Sequence, residues 1–164
     1  MISHLAIAIA IGVGATFFID AWNTMLKRVF GIPSLNYCFF GRWVGHLPSG
    51  VVRHRSIGAA SAKRFECALG WVSHYAIGVG LAHLFILLVA PQWIARPTFA
   101  PALLFGVATV VFPFFVLQPS LGLGIASAAT PHPARARLKS LATHSAYGVG
   151  LYLTAWLAAY VGHT

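Results

Sequence analysis

Charge is what this 164-residue chain has least of: Asp, Glu, Lys and Arg together make up 8% of it, against about a quarter in ordinary soluble domains. Acid is almost missing, with Asp20 and Glu66 the only carboxylate side chains. Paired-acid catalysis would have to use both. Cysteine is equally scarce: Cys38 and Cys67 form no Cys-x-x-Cys, no zinc pattern and no haem-attachment motif, which disfavours covalent haem and structural zinc. No Gly-x-Ser-x-Gly elbow, phosphate loop, dinucleotide fingerprint or His-Glu-x-x-His occurs either, and no catalytic set is assigned.

What fills the chain instead is apolar: 59% of residues are hydrophobic. Four runs, about residues 2–22, 67–90, 99–118 and 141–161, reach or approach the roughly 20 residues needed to cross a bilayer. Lipid satisfies no backbone hydrogen bond, so such runs must be helices or strands of a closed barrel, and they are too long and evenly apolar for barrel strands. The expected fold is all-α, a four-helix transmembrane bundle in a single domain over residues 1–164. Connecting loops span about residues 25–66 and 120–140. The first run has no Lys or Arg before it and Lys27-Arg28 after it, the reverse of a secretory signal, so it reads as a retained helix. Pro91 is expected to stop the second helix, and Pro113 and Pro119 to kink the third.

Basic residues predict the orientation. The first loop carries Lys27, Arg28, Arg42, Arg53, Arg55, Lys63 and Arg64, the last Arg135, Arg137 and Lys139, and only Arg96 lies between the second and third runs. That asymmetry predicts both basic loops in the cytoplasm and both termini outside. The formal charge of +9 is explained by that topology without nucleic acid. Arg42, Arg53, Arg55, Lys63, Arg64, Arg135, Arg137 and Lys139 are expected to meet anionic lipid headgroups. The same placement puts Cys38 and Cys67 on the reducing side, where a disulfide is not expected.

Residues 74–81 read His-Tyr-Ala-Ile-Gly-Val-Gly-Leu and residues 144–151 read His-Ser-Ala-Tyr-Gly-Val-Gly-Leu. With the weaker echo between Gly12-Val13-Gly14-Ala15-Thr16 and Gly106-Val107-Ala108-Thr109, this predicts two tandem helical hairpins related as a parallel internal repeat. Ala76, Gly78 and Gly80, with Ala146, Gly148 and Gly150, form small-residue ridges suited to close helix packing. His74 and His144 are ionisable residues inside apolar runs and so become site candidates, with Asp20, Glu66, Asn23 and Gln118 near the same end of the helices. Four readings of the histidine pair stay open: plain interhelical hydrogen bonding, a proton or solute pathway, axial ligation of a non-covalent haem, and a metal site completed by Asp20 or Glu66. Lys27 or Arg28 is the simple partner for Asp20. The loop 25–66 is long enough to have structure of its own, either in the headgroup layer or as a lid, and Leu121 to Ala129 is expected to extend the third helix.

Asp20-x-Trp22-Asn23 closing the first helix, Phe40-Gly41-Arg42-Trp43-x-Gly45-His46 and the two His-x-Ala-x-Gly-Val-Gly-Leu segments give the whole chain a resemblance to a family of small bacterial inner-membrane proteins of unknown function. The resemblance implies this architecture and that membrane, and no activity; the charge asymmetry is what predicts periplasmic termini. The functional expectation is a non-enzymatic binding or assembly protein whose partners are the bilayer and a second copy or larger membrane complex. A haem- or metal-binding redox protein or a small proton-coupled transporter is the alternative.

Overall fold

The computed structural model describes residues 4–89 and 92–162, so the expected stop at Pro91 lies outside the described residues. Every described element is helical. Helix α1 runs His4–Phe30 and α2 Tyr37–His46; α3 runs Glu66–Val89, α4 Gln92–Ala95 and α5 Phe99–Ala108. After α5 come a π-helical turn Pro113–Leu117, the short α6 Gln118–Ser120 and the long α7 Pro133–Gly162. Short 3₁₀ turns at Leu47–Ser49, Ile57–Ala59 and Ile125–Ser127 shape the connections.

Three of these stretches are long and apolar enough to cross a membrane: Leu5–Phe30, Glu66–Val89 and Phe99–Ser120. The fourth expected span, 141–161, lies inside α7 and is helical, but it is not among them. Its run is diluted by His144, Ser145, Tyr147, Tyr152, Thr154 and Tyr160. Two helices also outrun their apolar segments. Helix α1 continues to Phe30 with Lys27 and Arg28 in its last turn, where cations suit the helix dipole, and α7 begins at Pro133, the favoured proline position of a first turn. The expected continuation of the third helix through Leu121 to Ala129 does not form. The chain turns instead, with Gly122 at φ +88° and Gly124 at φ +74°, a backbone region open to glycine.

The chain divides into two compact units. One draws on Met1–Pro33, Tyr75–Ala108 and Ala142–Thr164. Its core is Ala8, Ile11, Ala15, Ala82, Phe85, Ile86, Trp93, Ala102, Tyr147, Leu151 and Ala155. Glycine sets how closely its helices approach. A Cβ on Gly12 would lie 2.5 Å from the Val79 Cα, one on Gly106 2.5 Å from the Gly148 Cα, and one on Gly150 2.9 Å from the Ala15 Cα. Backbone meets backbone at all three places. The Tyr147 hydroxyl donates to the Gly78 carbonyl at 2.6 Å, tying α7 to α3. Of the expected ridges, Gly78, Ala146, Gly148 and Gly150 are buried, whereas Ala76 is exposed and Gly80 faces open space. The outward surface is apolar, with Leu104 70% and Leu87 67% exposed.

The other unit comprises Ser34–His74 and Thr109–Leu141, and is built on different chemistry. Eight of the eleven Lys and Arg residues belong to it. The long first loop is ordered within it: the His54 amide donates to the Ser120 carbonyl at 2.8 Å and the Ile57 amide to the Leu121 carbonyl at 3.1 Å. Gly122 lies against the Arg55 carbonyl so closely that a Cβ has no room.

Candidate functional site

The second unit holds the densest constellation of polar and reactive groups, at the crossing of α2 with the first turns of α3. Asn36 caps α2, its side chain accepting from the Cys38 amide at 2.9 Å, the usual role of asparagine at a helix start. At the start of α3, the Glu66 side chain reaches back to accept from the Lys63 amide at 2.9 Å, tying the first helical residue to the loop before it. Phe65, just before α3, has φ +59°, a left-handed conformation costly for a bulky residue. Both helices therefore begin at well-defined places, and each carries a cysteine as its second residue.

Those cysteines are joined. Cys38 and Cys67 form a disulfide with Cα atoms 3.9 Å apart, contrary to the expectation drawn from the charge pattern. The local reason is glycine. Gly41 and Gly70 each lie three residues beyond a cysteine, and each is pressed against the opposite helix, Gly41 on the Glu66 carbonyl and Gly70 on the Tyr37 carbonyl. Only hydrogen at both positions lets the helices close enough to bring the sulfurs together. Bridging residues 29 apart is worth about 3.6 kcal/mol in the chain-entropy picture.

A second fastening lies on the next turn of α2. Arg42 donates Nε and Nη2 to the two Glu66 carboxylate oxygens, both at 2.8 Å, the two-pronged geometry in which guanidinium excels. Its Nη1 reaches the carbonyls of Ala60 at 3.0 Å and Ile57 at 3.3 Å. The pair is 12% and 15% exposed, and the hydrogen bonds to Glu66 raise the Arg42 pKa further above its ordinary value. Arg42 is thus engaged inside the unit, while Arg53, Arg55, Arg64, Arg135 and Arg137 are exposed and Lys63 and Lys139 half-buried.

On the same crossing the Tyr37 hydroxyl and the His74 Nε2 are 3.1 Å apart. The Tyr37 ring packs on both Trp71 and His74, with centroids 4.3 and 4.5 Å away. His74 is therefore held by a phenol and two aromatic faces. Further along, His46 meets the Ser61 carbonyl at 3.0 Å. His54 sits edge-on to it, with a buried Nε2 that has no hydrogen-bond partner. Burial, then the neighbouring His46 charge, lowers the His54 pKa. Gln118 is buried and donates to Ser140 at 3.1 Å.

The remaining candidates belong to the first unit. Asp20 accepts from the Tyr75 hydroxyl at 2.9 Å. Three residues on, buried Asn23 accepts from Thr143 at 3.4 Å. These bonds join one end of α1 to α3 and to α7. His144 is half-buried on α7, and His83 is exposed on α3. His74 and His144 fall in different units, as do Asp20 and Glu66. Among the described residues no group of three or more His, Cys, Asp or Glu is placed to hold a metal ion.

Tyr37, Trp71, Tyr75, Thr143 and Tyr147 are not marked out by the sequence, and the bond between Cys38 and Cys67 runs against its expectation. One signal was present in the chain: Cys38-x-x-Gly41 and Cys67-x-x-Gly70 share a spacing, which places cysteine and glycine on one face of each helix.

An all-helical chain with three helices apolar enough to span a bilayer, and a basic unit fastened by one disulfide and one ion pair, defines the class: a helical protein with the composition of a membrane protein. The chain belongs to the DUF2938 family of proteins of unknown function, whose profile matches residues 9–158. No curated protein and no solved structure matches it.

Proposed function

We propose that this is a multi-pass protein of the bacterial inner membrane in which α1, α3, the stretch Phe99–Ser120 and the apolar part of α7 all cross the bilayer as two tandem hairpins. The basic unit would face the cytoplasm and the termini the periplasm. The observation that carries this reading is the contrast within the first unit between glycine-lined helix contacts inside and large apolar side chains outside. That is the pattern of helices packed in lipid, where close backbone approach replaces hydrophobic burial. The pairing of Gly12 with α3 and of Gly106 with Gly148 uses equivalent positions of the two halves and supports the repeat.

Its role on this reading is non-enzymatic: an accessory or assembly protein that engages a second copy or a larger membrane complex. The polar candidates support it, because Asp20, Asn23, Glu66, His74 and Gln118 are each occupied in contacts that join one helix to another. Reporter fusions at residue 53, at residue 96 and at the carboxyl terminus test the orientation. A cytoplasmic signal at 53 and periplasmic signals at the other two are expected, and the reverse pattern would refute it. In mild detergent the protein should recover as a homo-oligomer or with a stoichiometric partner. His74→Ala and His144→Ala should lower that recovery or the stability without removing a chromophore. A Soret band abolished by both substitutions would replace this reading with a haem-binding one.

A further inference from the structure

We infer that Cys38 and Cys67 form a reversible thiol–disulfide exchange centre whose substrate is a dithiol, and that Cys67 is the sulfur its partner attacks. Three independent features of the crossing support this. The first is placement. Each cysteine is the second residue of its helix, in a 10-residue helix for Cys38 and a 24-residue helix for Cys67. The helix dipole there stabilises negative charge on sulfur, which eases both departure and attack of a thiolate. The second is access: Cys67 is exposed, and Cys38 is half-buried behind it. The third is that the crossing has other fastenings. The Arg42–Glu66 pair, the Tyr37–His74 bond and the seating of Gly41 and Gly70 all hold α2 against α3 without the S–S bond, so the reduced thiols stay side by side, ready to close again.

The chemical context points the same way. A lasting structural disulfide belongs to an oxidising compartment, whereas one on the cytoplasmic side is ordinarily transient, catalytic or sensing. The excess of Lys and Arg in the unit that holds the pair favours the cytoplasmic side, where a reversible bridge fits and a permanent staple does not. This goes beyond the accessory reading and takes only its orientation. The fusions read orientation and the titration below reads the cysteines, so each can fail alone.

The exchange balances without any further reagent. A client thiolate attacks Cys67 Sγ; the bond to Cys38 breaks, and Cys38 leaves as a thiolate at the amino end of α2. The client's second thiolate then attacks its own sulfur in the mixed disulfide and releases Cys67. Two electrons pass from the client dithiol to the cysteine pair, and the two client protons end on Cys38 and Cys67. The reverse sequence re-forms the bridge from a client disulfide.

The full-length protein in mild detergent is equilibrated with glutathione buffers of graded thiol-to-disulfide ratio, and the oxidised fraction is read by mass-tagged alkylation after acid quench. The pair is expected to titrate within that series while the helical circular dichroism stays intact. Reduced Cys67 should alkylate at pH 7 about ten-fold faster than free glutathione. A reduced dithiol peptide mixed with oxidised protein should yield one peptide disulfide per protein reduced. Cys38→Ser should stall as a mixed disulfide with a peptide disulfide, and Cys67→Ser should form none. A pair that stays fully oxidised across the series, or a fold that collapses on reduction, identifies a structural staple and overturns the proposal. Because the wild-type titration decides this alone, a serine variant that fails to fold does not rescue the idea.

Discussion

The two units of this chain solve the packing problem with opposite materials. In the first, the fastenings are absences: hydrogens at Gly12, Gly106, Gly148 and Gly150 where side chains would stand, supplemented by hydroxyls such as those of Tyr75, Thr143 and Tyr147. In the second, they are strong and few: one disulfide, one two-pronged ion pair and a set of loop carbonyls gathered by a single guanidinium. On the proposed membrane reading, the difference follows from what surrounds each part of the chain. Where the outside is as apolar as the inside, burying a leucine gains little, so close contact and hydrogen bonds carry the fold. Where the outside is water, as that reading has it for the basic loops, covalent and charge-assisted links take that role.

Substitution can break the comparison most sharply at glycine. Gly148→Val places a side chain where Gly148 already meets the Ala102 carbonyl at Cβ distances of 2.6 Å. Overpacking against backbone should cost about 3 kcal/mol, read as loss of folded protein in a detergent unfolding titration. Gly80→Ala, with nothing within 4 Å, should fall within about 0.5 kcal/mol of wild type. Equal effects would mean that the ridge as a whole, rather than particular contacts, holds the helices.

Next in size is Arg42→Ala. It strips the partner from Glu66 and from the Ile57 and Ala60 carbonyls, and should raise amide exchange over residues 54–61 by about ten-fold or more while leaving α5 and the apolar part of α7 unchanged. Spread of the effect into the first unit would contradict the division drawn here. Tyr147→Phe deletes one hydrogen bond to Gly78 and should cost about 1 kcal/mol, the scale measured for such bonds between membrane helices.

Acid gives the smallest effect. Burial and the nearby His46 charge lower the His54 pKa, so the unfolded chain takes up this proton more readily than the folded one. Stability is then fully present above the ordinary histidine value of 6.5 and declines as pH falls below it. Exchange at residues 54–57, corrected for intrinsic rates, should be faster at pH 5.5 than at pH 7.5, and His54→Gln should flatten the dependence.

Much of the helical framework was legible because apolar runs of this length have few other solutions. Its edges were not. The last turns of α1 through Phe30 and the first turns of α7 from Pro133 to Ser140 are polar, so hydropathy is silent exactly where the helices leave the apolar runs. The π-helical turn that interrupts the third run begins at Pro113, the residue that cannot continue the regular hydrogen-bond ladder. The turn that replaces its expected extension depends on backbone bonds from His54 and Ile57, more than 60 residues earlier in sequence. For the same reason the Tyr75 hydroxyl that donates to Asp20 from 55 residues further along the chain is not legible from Asp20 and its neighbours. The disulfide runs against the compartment argument, and the shared Cys-x-x-Gly spacing becomes informative only once α2 and α3 are seen to cross.

The central claim is that the apolar surface of the first unit lies in lipid and that the basic loops of the second, around Arg53 and Arg137, lie in water. Spin labels at Leu87, Leu104 and Leu157, and at Arg53 and Arg137, each in an otherwise wild-type protein in nanodiscs, test it directly through collision with oxygen and with a water-soluble nickel chelate. The account predicts oxygen-dominated relaxation at the three leucine sites and nickel-dominated relaxation at the two arginine sites. Nickel-dominated relaxation at Leu87 and Leu104 would contradict it.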